Sequence, residues 1–206
     1  MEQMQNIKSI KTILVTNTRS FTDTDSVAAD LAVLIAGNGK KVALIDADLR
    51  RPIIHTLFNL PNRVGLSDIL QNQRSPLAVM HNRKEDNLSI LTSGRVPTNY
   101  LDIFNFAKTK GFMQILDDTF DKIIIHGPPF FFTETVSLAA QVDGVVLLIH
   151  PGYNKTESSR AIIDKFQQTG ATIIGIVMRE QSKHQATQSA FIDRLLTFDK
   201  QARLYS

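Results

Sequence analysis

The sequence predicts an α/β protein with a doubly wound, mainly parallel sheet that carries helices on both faces. Short apolar runs alternate with longer amphipathic segments, which is the order expected of βα units. The apolar runs are almost continuous in β-branched residues and leucine, so both faces of each strand are expected to be covered. No internal repeat, low-complexity tract or linker interrupts this alternation. Residues 1–206 are therefore predicted to form a single domain.

Six segments are predicted to be strands. Five of them are continuous apolar runs, and the segment at residues 88–91 is a shorter run of the same kind. The predicted strands are Thr12–Asn17, Lys41–Ala47, Leu88–Leu91, Lys122–His126, Gly144–His150 and Ala171–Met178.

Amphipathic helices are predicted between these strands. The first begins at Asp25 or Ser26, either of which can cap it, and ends near Gly37. The apolar face of this helix is predicted to consist of Val27, Leu31, Leu34 and Ile35. The remaining predicted helices are one or two within residues 101–120, and one each within residues 134–142, 156–170 and 184–200.

Composition excludes several classes of protein. The chain contains no cysteine, which removes disulfides, thiolate metal sites and cysteine nucleophiles. No run approaches the roughly 18 uncharged apolar residues of a membrane-spanning helix, so a soluble chain is expected. The net charge is only +3 and the basic residues are scattered, so no nucleic-acid partner is expected. A weak preference for an anionic membrane surface remains an open alternative.

Ligands of doubly wound folds bind at the carboxyl ends of the strands. Function is therefore expected in the segments that follow the predicted strands. These segments are residues 17–26 (NTRSFTDTDS), 46–52 (DADLRRP), 92–99 (TSGRVPTN), 126–132 (HGPPFFF) and 150–157 (HPGYNKTE).

Residues 44–70, LIDADLRRPIIHTLFNLPNRVGLSDIL, carry a family resemblance. Four further segments match the same family in the same order: LTSGRVPTNYLDIF, FDKIIIHGPP, QVDGVVLLIHPGYNKTE and GATIIGIVM. On these motifs the chain closely resembles the BY-kinases, the bacterial tyrosine kinases of polysaccharide assembly, which are relatives of the MinD and ParA ATPases. The resemblance spans about residues 10–180 and implies a P-loop fold.

The phosphate-binding loop departs from the family pattern. The family reads roughly VTSxxPGEGKST where residues 15–26 read VTNTRSFTDTDS, without a gap. Phe21 and Asp23 replace glycines that let the backbone approach phosphate, and Thr24 replaces the lysine that contacts the phosphates. Asp25 replaces the magnesium-binding hydroxyl, so two aspartates stand where a triphosphate would bring more negative charge. The degenerate loop positions that would face phosphate and metal are Thr24, Asp25 and Ser26.

The two other catalytic segments differ in how much they retain. His126 stands at the Walker B aspartate position, and imidazole is a poor ligand for magnesium. Asp46 and Asp48 match the family's Walker A′ aspartates, which help to hold magnesium. The alternative, which we favour, is that these two carboxylates cap the following turn and pair with arginines. A metal site built from His126, His150 and one of the aspartates is a further alternative.

Aromatic residues mark two other features. Three consecutive phenylalanines, Phe130–Phe132, cannot all point inward, and we expect one or two to fill the space that a nucleotide would occupy, together with Phe21. The alternative is that they form a partner-binding patch. The family's C-terminal tyrosine cluster is missing, since Tyr205 stands alone near the end and the other tyrosines, Tyr100 and Tyr153, lie in predicted loops.

Together these observations predict a pseudokinase with no catalytic residue, no bound metal and no ATP or magnesium cofactor. The resemblance implies work at the cytoplasmic face of the bacterial inner membrane, with a membrane-embedded chain-length regulator of exopolysaccharide or capsule assembly as partner and possible self-association. One alternative is a divergent but active ATP-dependent tyrosine kinase that uses Asp46 and Asp48. The other is a MinD- or ParA-like positioning ATPase, which the segment at residues 49–70 disfavours because those ATPases do not share it.

Overall fold

The computed structural model describes residues 10–18, 25–72, 75–83, 86–96, 104, 106–149, 166 and 170–178. Its strands are β1 (Thr12–Asn17), β2 (Val42–Asp46), β3 (His81–Arg83), β4 (Leu88–Leu91), β5 (Lys122–His126), β6 (Gly144–Ile149) and β7 (Ile173–Met178). They form one sheet in the order β3-β4-β2-β5-β1-β6-β7. All neighbouring strands are parallel except β3, which pairs antiparallel to β4.

The described helices are α1 (Asp25–Gly37), α2 (Ile54–Leu57), α3 (Leu66–Asn72), α4 (Phe106–Thr119) and α5 (Thr133–Ala139), with a 3₁₀ turn at Pro76–Ala78. None of the described helices is long and apolar enough to cross a membrane. The helices predicted within residues 156–170 and 184–200 lie outside the described residues, apart from Phe166 and Gly170.

Apolar side chains are buried on both faces of the sheet. Along β2, Ala43 and Ile45 point into one core cluster, while Val42 and Leu44 point into the other. The first cluster lies beneath α3, α4 and α5, and the second lies beneath α1 and α2. This arrangement confirms the predicted doubly wound, mainly parallel fold, because a strand with apolar residues in every position needs cover on both sides.

The six predicted strands are all present, with small differences in their bounds. β1, β4 and β5 have the predicted bounds, β2 is one residue shorter at each end, and β7 begins two residues later than predicted. Strand β3 and helices α2 and α3 were not predicted. Strand β3 has only three residues, all polar and at the sheet edge, so it carries no apolar periodicity.

The buried face of α1 differs from the prediction. The residues fully buried against the sheet are Ala28, Ala29, Ala32 and Ala36, whereas Leu34 is 49% exposed. Val27, Leu31 and Ile35 are only partly buried at the margins of the same cluster. The alanines allow α1 to lie close to the strands, and the close fit favours the small side chains over the larger apolar ones.

Candidate functional site

The candidate site lies at the carboxyl ends of β1, β2 and β5, three adjacent central strands. Asp46 ends β2, His126 ends β5, and the two are register partners across the sheet. Backbone hydrogen bonding between the two strands continues past this pair, since Ala47 N–H donates to the His126 carbonyl at 2.8 Å. Residue types at these strand ends therefore decide what the edge can bind.

The Asp46 carboxylate is fully buried and both of its oxygens accept hydrogen bonds. Oδ1 lies 3.0 Å from His126 Nδ1, which donates to it. Oδ2 accepts the backbone N–H groups of Ile53 and Ile54 at 2.9 and 3.0 Å. Asp46 thereby caps the start of α2, whose own N-cap residue makes no side-chain cap bond.

Asp48 holds the next turn in place. Its Oδ1 accepts the backbone N–H groups of Arg50 and Arg51 at 3.2 and 3.0 Å. Burial raises the pKa of the Asp48 carboxyl, and the nearby His126 together with these two N–H groups partly offsets that rise. These contacts are of the turn-capping kind favoured on sequence grounds, although the partner of Asp46 is a histidine rather than an arginine.

Arg50 crosses from this turn to helix α5. Its Nε and Nη2 atoms donate to Glu134 Oε1 at 3.0 and 2.6 Å, and Glu134 is almost completely buried. The guanidinium also lies 4.4 Å from the centroid of the Phe132 ring. Both a carboxylate and an aromatic face therefore hold the Arg50 side chain.

The three phenylalanines after β5 have three different environments. Phe130 is half-buried against the core and lies 6.4 Å from Phe166 between ring centroids. Phe131 is 48% exposed, and its ring centroid is 4.5 Å from that of Phe132, which lies under Arg50. The expectation that all three cannot point inward is confirmed. Their expected packing over a phosphate position stays a prediction, because the loop at residues 19–24 lies outside the described residues.

One side-chain and one main-chain hydrogen bond join the ends of β1 and β5. Thr16 Oγ1 donates to the Pro128 carbonyl at 2.7 Å, and Gly127 N–H donates to the Val15 carbonyl at 2.9 Å. A Cβ on Gly127 would lie 2.6 Å from Leu14 Cδ1, so the buried Leu14 side chain would have to shift to admit one. The glycine lets the β5 loop turn directly over the end of β1.

Other residues singled out from the sequence fall wholly or partly outside the described structure. Asp25 and Ser26 begin α1, in agreement with the predicted start, but their side chains are outside the described part. Outside it entirely are Phe21, Asp23, Thr24, Tyr100, His150, Tyr153 and Tyr205. Within the described ranges, no group of three or more His, Cys, Asp or Glu side chains is arranged to hold a metal ion.

Two relationships at this edge were not foreseen from the sequence. One is the pairing of His126 with Asp46, and the other is the burial of Glu134 against Arg50. The sequence offered a signal for the pairing of His126 with Asp46, because two polar residues that end adjacent parallel strands are expected to meet. The signal for the contact of Glu134 with Arg50 was weaker: a glutamate in the first turn of a helix that follows a central strand.

Comparison with known proteins places the chain in a family. It is 31% identical over 180 residues to the tyrosine-protein kinase YwqD of Bacillus subtilis, covering 86% of this chain and 76% of the relative. It is 29% identical over 162 residues to the tyrosine-protein kinase Ptk of Acinetobacter johnsonii, but spans only 22% of that protein. No family model matches the chain. The chain belongs to the bacterial tyrosine-protein kinases, as the sequence motifs predicted.

Solved structures of other proteins share the fold. The chain superposes on the chimerical protein CapA2B2 with a TM-score of 0.78 and 26% identity, covering 86% of this chain and 79% of that one. The kinase domain of the Escherichia coli tyrosine kinase ETK gives a TM-score of 0.79 at 24% identity, covering 88% and 72%. MinD from Pyrococcus horikoshii, solved with Mg-ADP, shares the fold at 19% identity, with a TM-score of 0.69 and coverage of 82% and 69%.

Proposed function

We propose that this chain is a pseudokinase domain that neither binds ATP with magnesium nor transfers phosphate. The observation that carries the proposal is that both carboxylate oxygens of Asp46 already accept hydrogen bonds from the protein. Its Oδ1 accepts from His126 and its Oδ2 accepts from two backbone N–H groups. A magnesium ion needs oxygen ligands at about 2.1 Å, so it would have to displace the imidazole from a buried position.

The sequence of the phosphate-binding loop supports the same conclusion. Residues 15–26 have neither the glycines nor the lysine of the family pattern. Asp23 and Asp25 add negative charge close to where a triphosphate would lie, and at an effective dielectric of about 20 each such contact costs on the order of a few kcal/mol. Phosphoryl transfer depends almost entirely on positioning and charge stabilisation, and this loop supplies little of either.

The role of the domain in this proposal is to scaffold or regulate a partner. The family resemblance points to a membrane-embedded chain-length regulator of exopolysaccharide or capsule assembly, at the cytoplasmic face of the inner membrane. The block at residues 49–70, which the positioning ATPases lack, supports this branch over a MinD- or ParA-like role. Self-association is compatible with the same role.

Calorimetry and a transfer assay test the catalytic part of the proposal. The purified chain is titrated with magnesium and a non-hydrolysable ATP analogue, and is separately incubated with radiolabelled ATP. The Bacillus subtilis relative serves as the positive control in both assays. We expect no saturable heat and no labelled protein from this chain. Saturable binding in the low micromolar range, or transfer of label, would overturn the proposal.

A variant with the family residues restored tests which positions cause the proposed loss of nucleotide binding. It carries Phe21→Gly, Asp23→Gly, Thr24→Lys, Asp25→Ser and His126→Asp, which restore the family residue types. We expect this variant to gain magnesium-dependent nucleotide binding, because the frame of β1, α1 and β2 is retained. If this restored variant binds no nucleotide either, these five positions are not sufficient to explain the loss of binding.

A further inference from the structure

Two exposed Arg–Val pairs lie beside the carboxyl edge of the sheet. The first, Arg63–Val64, is separated from α3 by Gly65, and the second, Arg95–Val96, follows β4. All four side chains are exposed, with 38% of Val64 and 61% of Val96 accessible. We call these four residues the Arg–Val clamp. None of them has a part in the Asp46–His126 arrangement.

Backbone hydrogen bonds join the two segments that carry the clamp. Leu66 N–H donates to the Thr92 carbonyl at 2.8 Å, and Ser67 N–H donates to the Ser93 carbonyl at 2.9 Å. The first turn of α3 is thus bound to the chain that leaves β4. Val64 directly precedes Gly65 and Arg95 directly follows Gly94, and these two glycines are in contact, so the two pairs flank one junction.

A partly buried asparagine, Asn62, holds the same junction together. Asn62 Oδ1 accepts the Gly94 N–H at 2.8 Å, and Asn62 Nδ2 donates to Ser93 Oγ at 3.0 Å. The two glycines lie in direct contact, since a Cβ on Gly65 would come within 2.2 Å of Gly94 N. Gly94 also has a φ of +78°, which favours glycine. The clamp is consequently presented on a fixed backbone.

The clamp carries two positive charges, one on each arginine. Neither Arg63 nor Arg95 forms an ion pair with any described residue. The carboxylate nearest the junction is Asp68, whose Oδ2 accepts the Gly65 N–H at 3.0 Å and caps α3. All four clamp side chains are therefore exposed to solvent around this junction.

We infer that the Arg–Val clamp is a docking surface for an acidic segment of a partner protein, in which two carboxylates meet the arginines and an apolar side chain meets the valines. The identity of the partner, the membrane-embedded regulator, rests on the proposed function. Guanidinium groups bind carboxylates in a bidentate manner, and arginine is enriched at protein interfaces where lysine is depleted. Anionic lipid recognition uses clusters of about four to eight basic residues, and the clamp has two.

Fluorescence anisotropy with the full chain tests this inference. The probes are short fluorescein-labelled synthetic peptides that carry two glutamates and a leucine, with the spacing of the three residues varied from one peptide to the next. The variants are the charge reversal Arg63→Glu/Arg95→Glu and the conservative Arg63→Lys/Arg95→Lys. Lys40→Glu/Lys41→Glu is the matched control, because these exposed lysines precede β2 at the opposite edge of the sheet and change the charge equally. Thermal melting shows that each variant is folded.

We expect one acidic peptide to bind and the charge reversal to weaken it by about tenfold or more, since both charge pairs become repulsive. The lysine variant is expected to bind with intermediate affinity, and the control as the wild type does. A version of the peptide with its acidic residues changed to amides is expected not to bind.

Several results would overturn the inference. If the charge-reversed variant binds equally well, or if none of the acidic peptides binds, the clamp is not a docking surface for an acidic segment. If the chain sediments with phosphatidylglycerol vesicles and the charge reversal abolishes this, the arginines bind lipid instead. If analytical ultracentrifugation shows a dimer that the charge reversal dissociates, the arginines bind a second copy of the chain. The nucleotide titration does not involve Arg63 or Arg95, so nucleotide binding would overturn the proposed function and leave the peptide result standing.

Discussion

Asp46 and His126 face each other at the ends of adjacent parallel strands, and the imidazole Nδ1 lies 3.0 Å from the carboxylate Oδ1. A carboxylate at position 126 would repel Asp46 unless a cation lay between them. The histidine replaces that repulsion by a direct hydrogen bond. One change of residue type at a strand end thus alters what the retained aspartate contacts.

Changing His126→Asp is expected to destabilise the chain by about 3 kcal/mol, because it places two buried carboxylates next to each other without a cation. Adding magnesium or manganese is expected to recover part of the loss, since the ion can lie between them. Urea unfolding with and without the ion measures both effects. His81→Asp, at the sheet edge, is the control and is expected to change little. A stable H126D chain that ignores divalent ions would contradict this account.

Asp48→Asn is expected to stabilise the chain at neutral pH, because burial raises the pKa of this carboxyl in the folded state above its ordinary value near 3.8. Between those two pKa values the folded chain holds a proton that the unfolded chain has lost, so stability falls as the pH rises through this window. Asparagine keeps an oxygen for the N–H groups of Arg50 and Arg51. The advantage of D48N is expected to shrink as the pH falls through the window. Melting curves from acid to neutral pH measure it, and a constant difference would refute it.

A double-mutant cycle tests the contact between Arg50 and Glu134. Arg50→Ala leaves a buried carboxylate without its cation and is expected to cost about 2 kcal/mol, which allows for the partial exposure of the arginine. Glu134→Gln in the same chain is expected to recover about 1 kcal/mol. Chemical denaturation of all four proteins gives the coupling. Strict additivity would mean that the two side chains do not stabilise each other.

Gly94→Ala is expected to destabilise the chain by about 2 to 3 kcal/mol. The new Cβ would lie 2.6 Å from Asp68 Oδ2 and 2.7 Å from Gly65 N, in addition to the strain of a φ of +78°. Gly39→Ala is the matched control, because its φ is +79° but nothing lies within 4 Å of the Cβ. That control is expected to cost about 1 kcal/mol. Equal losses in thermal unfolding would show that crowding at the junction contributes nothing.

Phe130→Ala and Phe131→Ala are expected to differ, although the residues are neighbours. Phe130 packs against the core and Phe166, so its truncation is expected to cost about 2 kcal/mol. Phe131 is 48% exposed, and its truncation is expected to change stability by only about 0.5 kcal/mol. Paired unfolding curves give the comparison. A larger loss at Phe131 would mean that the exposed ring is part of the packing.

Local sequence was sufficient for the strands but not for the short elements. Strands with continuous apolar residues, such as β5, identify themselves because both of their faces must be covered. Strand β3 and helix α2 have three and four residues, too few for any periodicity to show. The buried alanine face of α1 also escaped prediction, because the distance between helix and sheet, rather than hydropathy alone, selects side-chain size.

At the candidate site, the sequence by itself determined which residue types stand at the strand ends: Asp46 and Asp48 kept, His126 in place of an aspartate. It also determined the family, since several motifs occur in register along the chain. Only the tertiary structure decided the partners. Asp46 meets His126 through strand register. Arg50 meets Glu134, 84 residues further along the chain, because helix α5 returns to the same edge of the sheet. Such pairings depend on how strands and helices are ordered around the sheet, and local residue patterns carry little of that information.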